Sequence, residues 1–161
     1  MDISSQAITT GTNHEAGRRL LQEMYFARTG QMLPPVAVTP RGKPYFPDSA
    51  IHFSISHTKK RVFCVLSEHL VGIDAEPLDR KIDLRLAEKI LSASEKEQYD
   101  RAADPHRALL TFWVLKEAAA KCTGHGLRIY PNDTHFSLHD TRVQERDGCL
   151  VAVIEEDEHA V

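Results

Sequence analysis

The sequence has few cysteines, no long apolar run and no dominant charge sign. Its three cysteines, Cys64, Cys122 and Cys149, are widely spaced and form no CxxC pair. This pattern favours reduced thiols in the cytoplasm over a disulfide framework or a zinc site. No apolar stretch approaches the roughly 18 residues that a membrane-spanning helix needs. The first residues also lack the basic start and apolar segment of an export signal, so we expect a cytoplasmic protein.

The charges are nearly balanced overall but unevenly distributed along the 161 residues. With 20 Lys and Arg against 23 Asp and Glu, the formal net charge is −3, which does not favour nucleic acid as a partner. Residues 1–72 have a net charge of +3 and residues 73–161 a net charge of −6. Such halves could bind an anion on one side and a metal or basic partner on the other, or the charges could simply be scattered over the surface.

Local patterns in residues 1–72 predict one helix and several strands. Asn13 can cap a helix that runs to about Thr29 and ends at Gly30. Alternating or continuous apolar residues predict strands at Val36–Thr39, Ile51–Ser56, Arg61–Ser67 and Leu70–Glu76. A turn or loop is predicted between the first two strands, where two prolines flank Gly42.

Residues 73–161 are predicted to begin with helices and end with strands. The helices are Leu84–Leu91 capped by Asp83, Glu95–Ala102 with a capping box from Ser92, and a helix from Pro105 to about Cys122 between Asp104 and Gly124. The strands are Thr134–Leu138, Arg142–Glu145 and Cys149–Ile154, the last two joined by an Asp147-Gly148 turn. Helix and sheet in both halves predict an α+β fold, compatible with two lobes that meet near residue 72.

The predicted strand at Leu70–Glu76 carries the first chemical signal. Residues i and i+2 share a face of a strand, so Asp74 and Glu76 should project together. Two neighbouring carboxylates repel unless a cation lies between them, and oxygen ligands suit Mg²⁺ better than zinc. On this segment alone, two solvated acids at an exposed strand end are a slightly better explanation than a metal site.

The predicted helix that begins at Pro105 carries the second signal. Trp113, Glu117 and Lys121 are spaced i, i+4 and i+8, so they form one stripe on the helix. A glutamate followed by a lysine four positions later is also a common surface pair. The alanines at positions 118–120 instead indicate that the helix packs closely on a neighbour, which favours a functional stripe.

Together these segments resemble the double signature of 4′-phosphopantetheinyl transferases, in the surfactin-synthetase-activating (Sfp-like) branch. The signature is Gly72-Ile-Asp74-Ala-Glu76 followed by Trp113-x-x-Lys116-Glu117-x-x-x-Lys121-x-x-Gly124-x-Gly126-Leu127. Two more matching segments lie upstream in the right order, Gly42-Lys43-Pro44 and Phe53-Ser54-Ile55-Ser56-His57-Thr58. Any one of the motifs would be weak, but all in order make the resemblance specific.

The resemblance implies transfer of the 4′-phosphopantetheine arm of coenzyme A to a serine of an apo acyl or peptidyl carrier protein. The coproduct would be adenosine 3′,5′-bisphosphate. The resemblance also implies an α+β pseudo-dimer of two similar lobes, with the active site in the cleft between them. Residues 1–72 would form the lobe that contacts the coenzyme A phosphates, and residues 73–161 the lobe with the metal ligands and catalytic helix.

The roles of single residues are carried over from the family by motif. The ligands of Mg²⁺ would be Asp74, Glu76 and Glu117. The catalytic residues would be Glu117 and Lys121, of which Lys121 would contact the phosphates and assist the leaving group. The carrier serine must lose its proton, and either Glu117 or a metal-bound water is the candidate base. Coenzyme A would be bound by Lys43, Ser56 and His57, with Arg18 as a weaker candidate.

The chain is short for this branch, and its first 13 residues contain no Lys or Arg, which would leave coenzyme A held more loosely or its adenosine end more exposed.

Two other classes of protein stay open. One is a non-catalytic module that binds coenzyme A or carrier proteins. The presence of Asp74 and Glu117 argues against it, because such a module does not need these acids. The second class is a Mg²⁺-dependent phosphotransferase of another kind, or a nuclease. This interpretation does not explain the segments that contain Lys43 and His57. We expect a monomer without nucleic acid or membrane as a partner.

Overall fold

The computed structural model of the chain describes residues 1–125 and 135–156. In these ranges the strands are β1 (Asp2–Ala7), β2 (Ala37–Val38), β3 (Pro44–Tyr45), β4 (His52–His57), β5 (Arg61–Ser67), β6 (Leu70–Pro77), β7 (Val143–Arg146) and β8 (Cys149–Glu156). The helices are α1 (Asn13–Thr29), α2 (Ala87–Ile90), α3 (Ala93–Asp100) and α4 (Pro105–Thr123), and a 3-10 turn (Leu84–Leu86) precedes α2. This mixture confirms the α+β class. No helix in the described part of the chain is long and apolar enough to cross a membrane.

The long helix α1 ends where the sequence predicts, but its cap is one residue earlier. Thr12, not Asn13, is the N-cap, and its side chain accepts a hydrogen bond from the backbone N–H of Glu15. The Glu15 carboxylate in turn accepts from the backbone N–H of Thr12, which completes a capping box. At the other end Gly30 adopts the left-handed conformation, with φ of 70°, that closes many helices.

The fold also differs from the prediction in other places. The predicted strand Val36–Thr39 is reduced to Ala37–Val38, and the short strand β3 was not predicted. The polar strand β1 was missed, because its place is set by pairing with β5 rather than by its own pattern. The predicted helix Leu84–Leu91 is a 3-10 turn followed by the short α2. Residues 135–138 form no strand, since side chains of α3 bind their backbone: Phe136 N–H donates to Glu95 (3.0 Å) and Leu138 N–H to Gln98 (3.1 Å). Thr134 lies outside the described residues.

Two antiparallel sheets of three strands form the frame among the described residues, in the orders β1-β5-β4 and β6-β8-β7. Helix α1 packs on the first sheet, and α4 packs on β6 and β8 of the second. The sheets meet where β4 lies beside β6. There the hydroxyl groups of Ser54 and Ser56 accept hydrogen bonds from the backbone N–H groups of Ile73 and Ala75, each at 3.1 Å. Serine side chains therefore join the two sheets.

Gly72 allows β6 to lie directly on the backbone of α4. A Cβ atom at this position would lie 2.0 Å from the carbonyl oxygen of Ala118 and 2.4 Å from the backbone nitrogen of Cys122. Both atoms belong to the helix backbone, which cannot rotate away as a flexible side chain can. The lack of a side chain at Gly72 thus brings the next residues of β6 close to the side chains of α4.

A buried ion pair between Glu95 and Lys116 joins α3 to α4. The Lys116 Nζ atom lies 2.7 Å from Glu95 Oε2, and the two side chains are 1% and 0% exposed. Glu95 also accepts hydrogen bonds from the backbone N–H groups of Ser92 (2.9 Å) and Phe136 (3.0 Å). Burial lowers the pKa of Lys116, and its bond to Glu95 acts in the opposite direction. The Glu95 carboxylate therefore connects the start of α3, the helix α4 and the segment that contains Phe136.

We expect Gly72→Ala to lower the free energy of unfolding by about 3 kcal/mol or more, because its methyl group would overlap the α4 backbone. Gly30→Ala is the control: its φ is 70° and nothing lies within 4 Å of the added Cβ, so its cost should be about 1 kcal/mol. Urea unfolding of both variants and the wild type measures the difference. Equal losses for the two variants would contradict the close approach of strand and helix.

Lys116→Met should lower the free energy of unfolding by about 3–5 kcal/mol, because it leaves the buried Glu95 carboxylate without this cation. The double variant Glu95→Gln/Lys116→Met removes both charges and should recover much of that loss. Urea unfolding at neutral pH checks both values. A single variant as stable as the wild type would show that the pair is not needed in the core.

Candidate functional site

Asp74 lies at the centre of the candidate site, where β6 faces β4 and α4. The residue is 5% exposed. Its Oδ1 atom accepts hydrogen bonds from the hydroxyl of Ser56 (3.0 Å) and from Nζ of Lys121 (2.7 Å). Its Oδ2 atom is buried and has no hydrogen-bond partner among the described residues. The structure therefore brings together three residues that the sequence assigned to one site, and it leaves one carboxylate oxygen available.

Glu76 follows on the same face of β6 and contacts the first residue of the stripe on α4. The indole Nε1 of Trp113 donates a hydrogen bond to Glu76 Oε1 at 3.3 Å. The guanidinium of Arg80 binds the same oxygen and lies 5.2 Å from the centre of the Trp113 ring. Arg80 was missed by the sequence reasoning. Its only local signal is a position four residues after an acid, which is common on protein surfaces.

Glu117 is half-buried and belongs to the same group of charges. Burial is the main cause that raises its pKa, and the negative charge of Asp74 raises it further. The positive charges of Lys121 and Arg80 act in the opposite direction and lower it. The carboxyl group of Glu117 therefore holds a proton to higher pH than an ordinary glutamate, and it does so next to the other acids of the site.

The three predicted metal ligands do not form a finished metal centre. In the part of the chain that the structure describes, no three acidic, histidine or cysteine side chains converge closely enough to hold a metal ion. Asp74 and Glu76 are instead bound by the cations Lys121 and Arg80. The chemistry of the donors still fits Mg²⁺, because all are carboxylates and the buried Oδ2 of Asp74 has no partner among the described residues.

A cavity of about 1060 Å³ opens beside Glu76, the one of these three acids that lines it. It lies between the turn that follows β4 and the turn that follows β6. The residues that line it include Asn13, His57, Lys59, Lys60, Glu76 and Arg80. The ring of His57 is held by Asn13 at the start of α1, with 3.2 Å between Nδ1 and the amide nitrogen. The lining thus combines the cations Lys59, Lys60, Arg61 and Arg80 with the acids Glu76, Asp79 and Asp147, and its cations could bind a phosphorylated ligand.

Three of the four residues predicted to bind coenzyme A do not line this cavity: Lys43, Arg18 and Ser56, which is buried against Asp74. The Nζ atom of Lys43 donates to the carbonyl oxygens of Cys122 and Val71, so its side chain points to the end of α4. Burial lowers the pKa of Lys43. Arg18 is on the exposed side of α1 and is not among the residues that line the cavity. Their assignment to coenzyme A remains a prediction from the motif alone.

Comparison with known proteins points to the family that the motifs resemble. The 4′-phosphopantetheinyl transferase gsp of Aneurinibacillus migulanus is 35% identical over 103 residues, which are 63% of this chain and 43% of that protein. The 4′-phosphopantetheinyl transferase Sfp of Bacillus subtilis (strain 168) is 32% identical over 104 residues, 61% of this chain and 45% of that protein. A holo-[acyl-carrier-protein] synthase of Laribacter hongkongensis is 46% identical over 44 residues, 27% of this chain and 35% of that protein.

The matched part of the chain spans less than half the length of these relatives. A sequence model of the 4′-phosphopantetheinyl transferase superfamily matches residues 70–158, which is more than half of the chain. That range contains Asp74, Glu76 and Arg80 on and after β6, and the stripe of Trp113 and Lys121 on α4. The resemblance seen in the motifs is confirmed, and the chain belongs to the 4′-phosphopantetheinyl transferase superfamily.

Proposed function

We propose that this protein transfers the 4′-phosphopantetheine group from coenzyme A to a serine of an apo acyl or peptidyl carrier protein, in a Mg²⁺-dependent reaction. The other product is adenosine 3′,5′-bisphosphate. The observation that carries the proposal is the contact between the two signature segments: Lys121 on α4 lies 2.7 Å from Asp74 on β6. The names of the relatives, which are 4′-phosphopantetheinyl transferases and a holo-[acyl-carrier-protein] synthase, support it.

The carboxylates and lysine of the site have separate tasks in this reaction. Asp74, Glu76 and Glu117 would hold Mg²⁺, which when bound would polarise the pyrophosphate of coenzyme A and neutralise its charge. Lys121 is close to the same acids, so its ammonium group can bind a phosphate oxygen and stabilise charge on the leaving group. Ser56 orients Asp74 by donating to its Oδ1 atom, and this bond leaves Oδ2 free.

Glu117 is the candidate base that removes the proton of the carrier serine. Burial and the charge of Asp74 raise its pKa, whereas a Mg²⁺ ion held by the same carboxylate would lower it, so the role of base belongs to a carboxylate oxygen that does not hold the metal. The reaction needs the serine oxygen to attack the phosphorus atom of the phosphopantetheine arm while the bond to adenosine 3′,5′-bisphosphate breaks. Phosphoryl transfer depends mainly on positioning and charge neutralisation, which these side chains supply.

The arrangement of the chain supports three further parts of the proposal. Residues 1–72 include α1 with the sheet β1-β5-β4, and residues 73–161 include α4 and most of the sheet β6-β8-β7. Each half is thus one long helix on a three-stranded antiparallel sheet, in keeping with two lobes related as a pseudo-dimer.

The cysteines Cys64, Cys122 and Cys149 are buried and free, which suits a reducing compartment such as the cytoplasm. A monomer would suffice, since both sides of the site come from one chain.

The reaction is tested by incubating purified apo-carrier proteins with this protein, coenzyme A and Mg²⁺, and by measuring their intact masses. We expect a gain equal to one phosphopantetheine group, and no gain when EDTA removes the metal. The carriers that gain mass identify the substrate class. No gain on any carrier, from a protein that still binds coenzyme A in calorimetry, would contradict the enzyme and favour a binding module.

Asp74→Ala and Glu117→Ala should each reduce the rate of carrier modification by orders of magnitude and leave the fold intact, because each removes a carboxylate from the site. Glu97→Ala is the matched control: this glutamate is exposed on α3 and pairs only loosely with Arg101, at 3.8 Å. Initial rates by mass spectrometry and circular dichroism spectra of all three variants check the expectation. Full activity of either site variant in Mg²⁺ would contradict the role assigned to that residue.

A further inference from the structure

Arg80 is placed at the candidate site by a turn that two backbone hydrogen bonds hold. The backbone N–H of Arg80 donates to the carbonyl of Pro77 at 3.0 Å, which closes a turn directly after β6. Inside that turn the N–H of Leu78 donates to the carbonyl of Gly148 at 3.1 Å, so the hairpin between β7 and β8 holds the turn in place. The side chain of Arg80 is thereby folded back towards Glu76, the last acid on β6.

The contacts of Arg80 are those of an internal counter-ion. Its guanidinium binds Oε1 of Glu76, the oxygen that also accepts from the indole of Trp113, and it lies over the Trp113 ring. The side chains of Arg80 and Glu76 are only 32% and 20% exposed, so water screens the pair incompletely. Lys121 stands in the same relation to Asp74. Each acid of β6 is therefore paired with a cation of this chain.

These pairs engage two of the three acids that would hold the metal. The carboxylates of Asp74, Glu76 and Glu117 carry three negative charges when ionised, and Arg80 and Lys121 supply two positive charges that affect them. A divalent cation would have to compete with these groups for the same carboxylate oxygens. The guanidinium of Arg80 is the more informative competitor, because it lies over the Trp113 ring, whose fluorescence can report its movement.

We propose that Arg80 binds the carboxylate of Glu76 in the metal-free protein, is displaced from it when a divalent cation binds, and then binds a phosphate group of coenzyme A. This inference rests on the proposed function and names a residue that assists the same site. Arg80 lines the cavity together with His57 and Lys60, so a displaced guanidinium remains beside the ligand space. Its planar arrangement of N–H donors matches two phosphate oxygens at once.

The first test measures the affinity for Mn²⁺ alone, in the absence of coenzyme A, by the electron paramagnetic resonance signal of the free ion. Arg80→Met should bind Mn²⁺ about three- to fivefold more tightly than the wild type, because a competing cation worth as much as a typical ion pair is gone. Arg85→Met is the matched control: Arg85 pairs with Asp83, is 89% exposed and does not line the cavity, so its affinity should equal that of the wild type.

The second readout is the fluorescence of Trp113, the only tryptophan of the chain. Addition of Mg²⁺ to the wild type should change this fluorescence, since the guanidinium leaves the ring, and Arg80→Met should lack most of the change. In carrier modification, Arg80→Met should raise the KM for coenzyme A, and Arg80→Lys should recover part of the loss because a charge is restored.

The outcomes separate this inference from the proposed function. If the wild type modifies carrier proteins but Arg80→Met binds Mn²⁺ with unchanged or weaker affinity, Arg80 is not a competitor of the metal and the inference is wrong. If the wild type modifies no carrier protein, the proposed function is wrong. Tighter Mn²⁺ binding by Arg80→Met together with a raised KM for coenzyme A supports both parts of the inference.

Discussion

The close approach of β6 to α4 is the constraint on which the rest of the site depends. It exists because Gly72 has no side chain to separate the strand from the backbone of the helix. Two residues further along the strand, Asp74 is then close enough for Lys121 to reach it, at 2.7 Å. If β6 and α4 lay farther apart, Asp74 and Lys121 could not contact each other and could not act together on one ligand.

The junction between the two sheets serves the fold and the site with the same atoms. Ser56 accepts from the backbone N–H of Ala75 and donates to Asp74, and Lys121 lies 3.3 Å from its oxygen. A buried hydroxyl with these partners holds β4 and β6 together and also fixes the orientation of the carboxylate. Ser54 makes the corresponding bond to β6 two residues earlier. Packing of the sheets and geometry of the site therefore cannot vary independently.

The site is built from repelling acids that the chain itself compensates. Carboxylates gathered beside one another would destabilise the fold if each remained without a cation. Here Lys121 and Arg80 lie against Asp74 and Glu76, and the deeper Glu95 is paired with Lys116. The buried pair has two fully covered partners and connects segments of the core. At the site, Asp74 is also buried, but the pair of Arg80 and Glu76 is partly exposed and lines a cavity, where a ligand can exchange with it.

The sequence by itself determined the local structure and the chemical inventory of the site. Helix α4 begins and ends at the residues its caps predict, and Asp147 and Gly148 form the expected hairpin turn, both with positive φ, because short-range sterics and hydrogen bonds decide these features. The family resemblance likewise assigned Asp74 and Lys121 to one site, although not to a contact with each other. The tertiary structure alone decided that β1 joins a sheet, that Lys43 points into α4 and that Arg80 reaches Glu76. Those outcomes depend on strand pairing, side-chain burial and charge contacts between elements, and no local pattern encodes them.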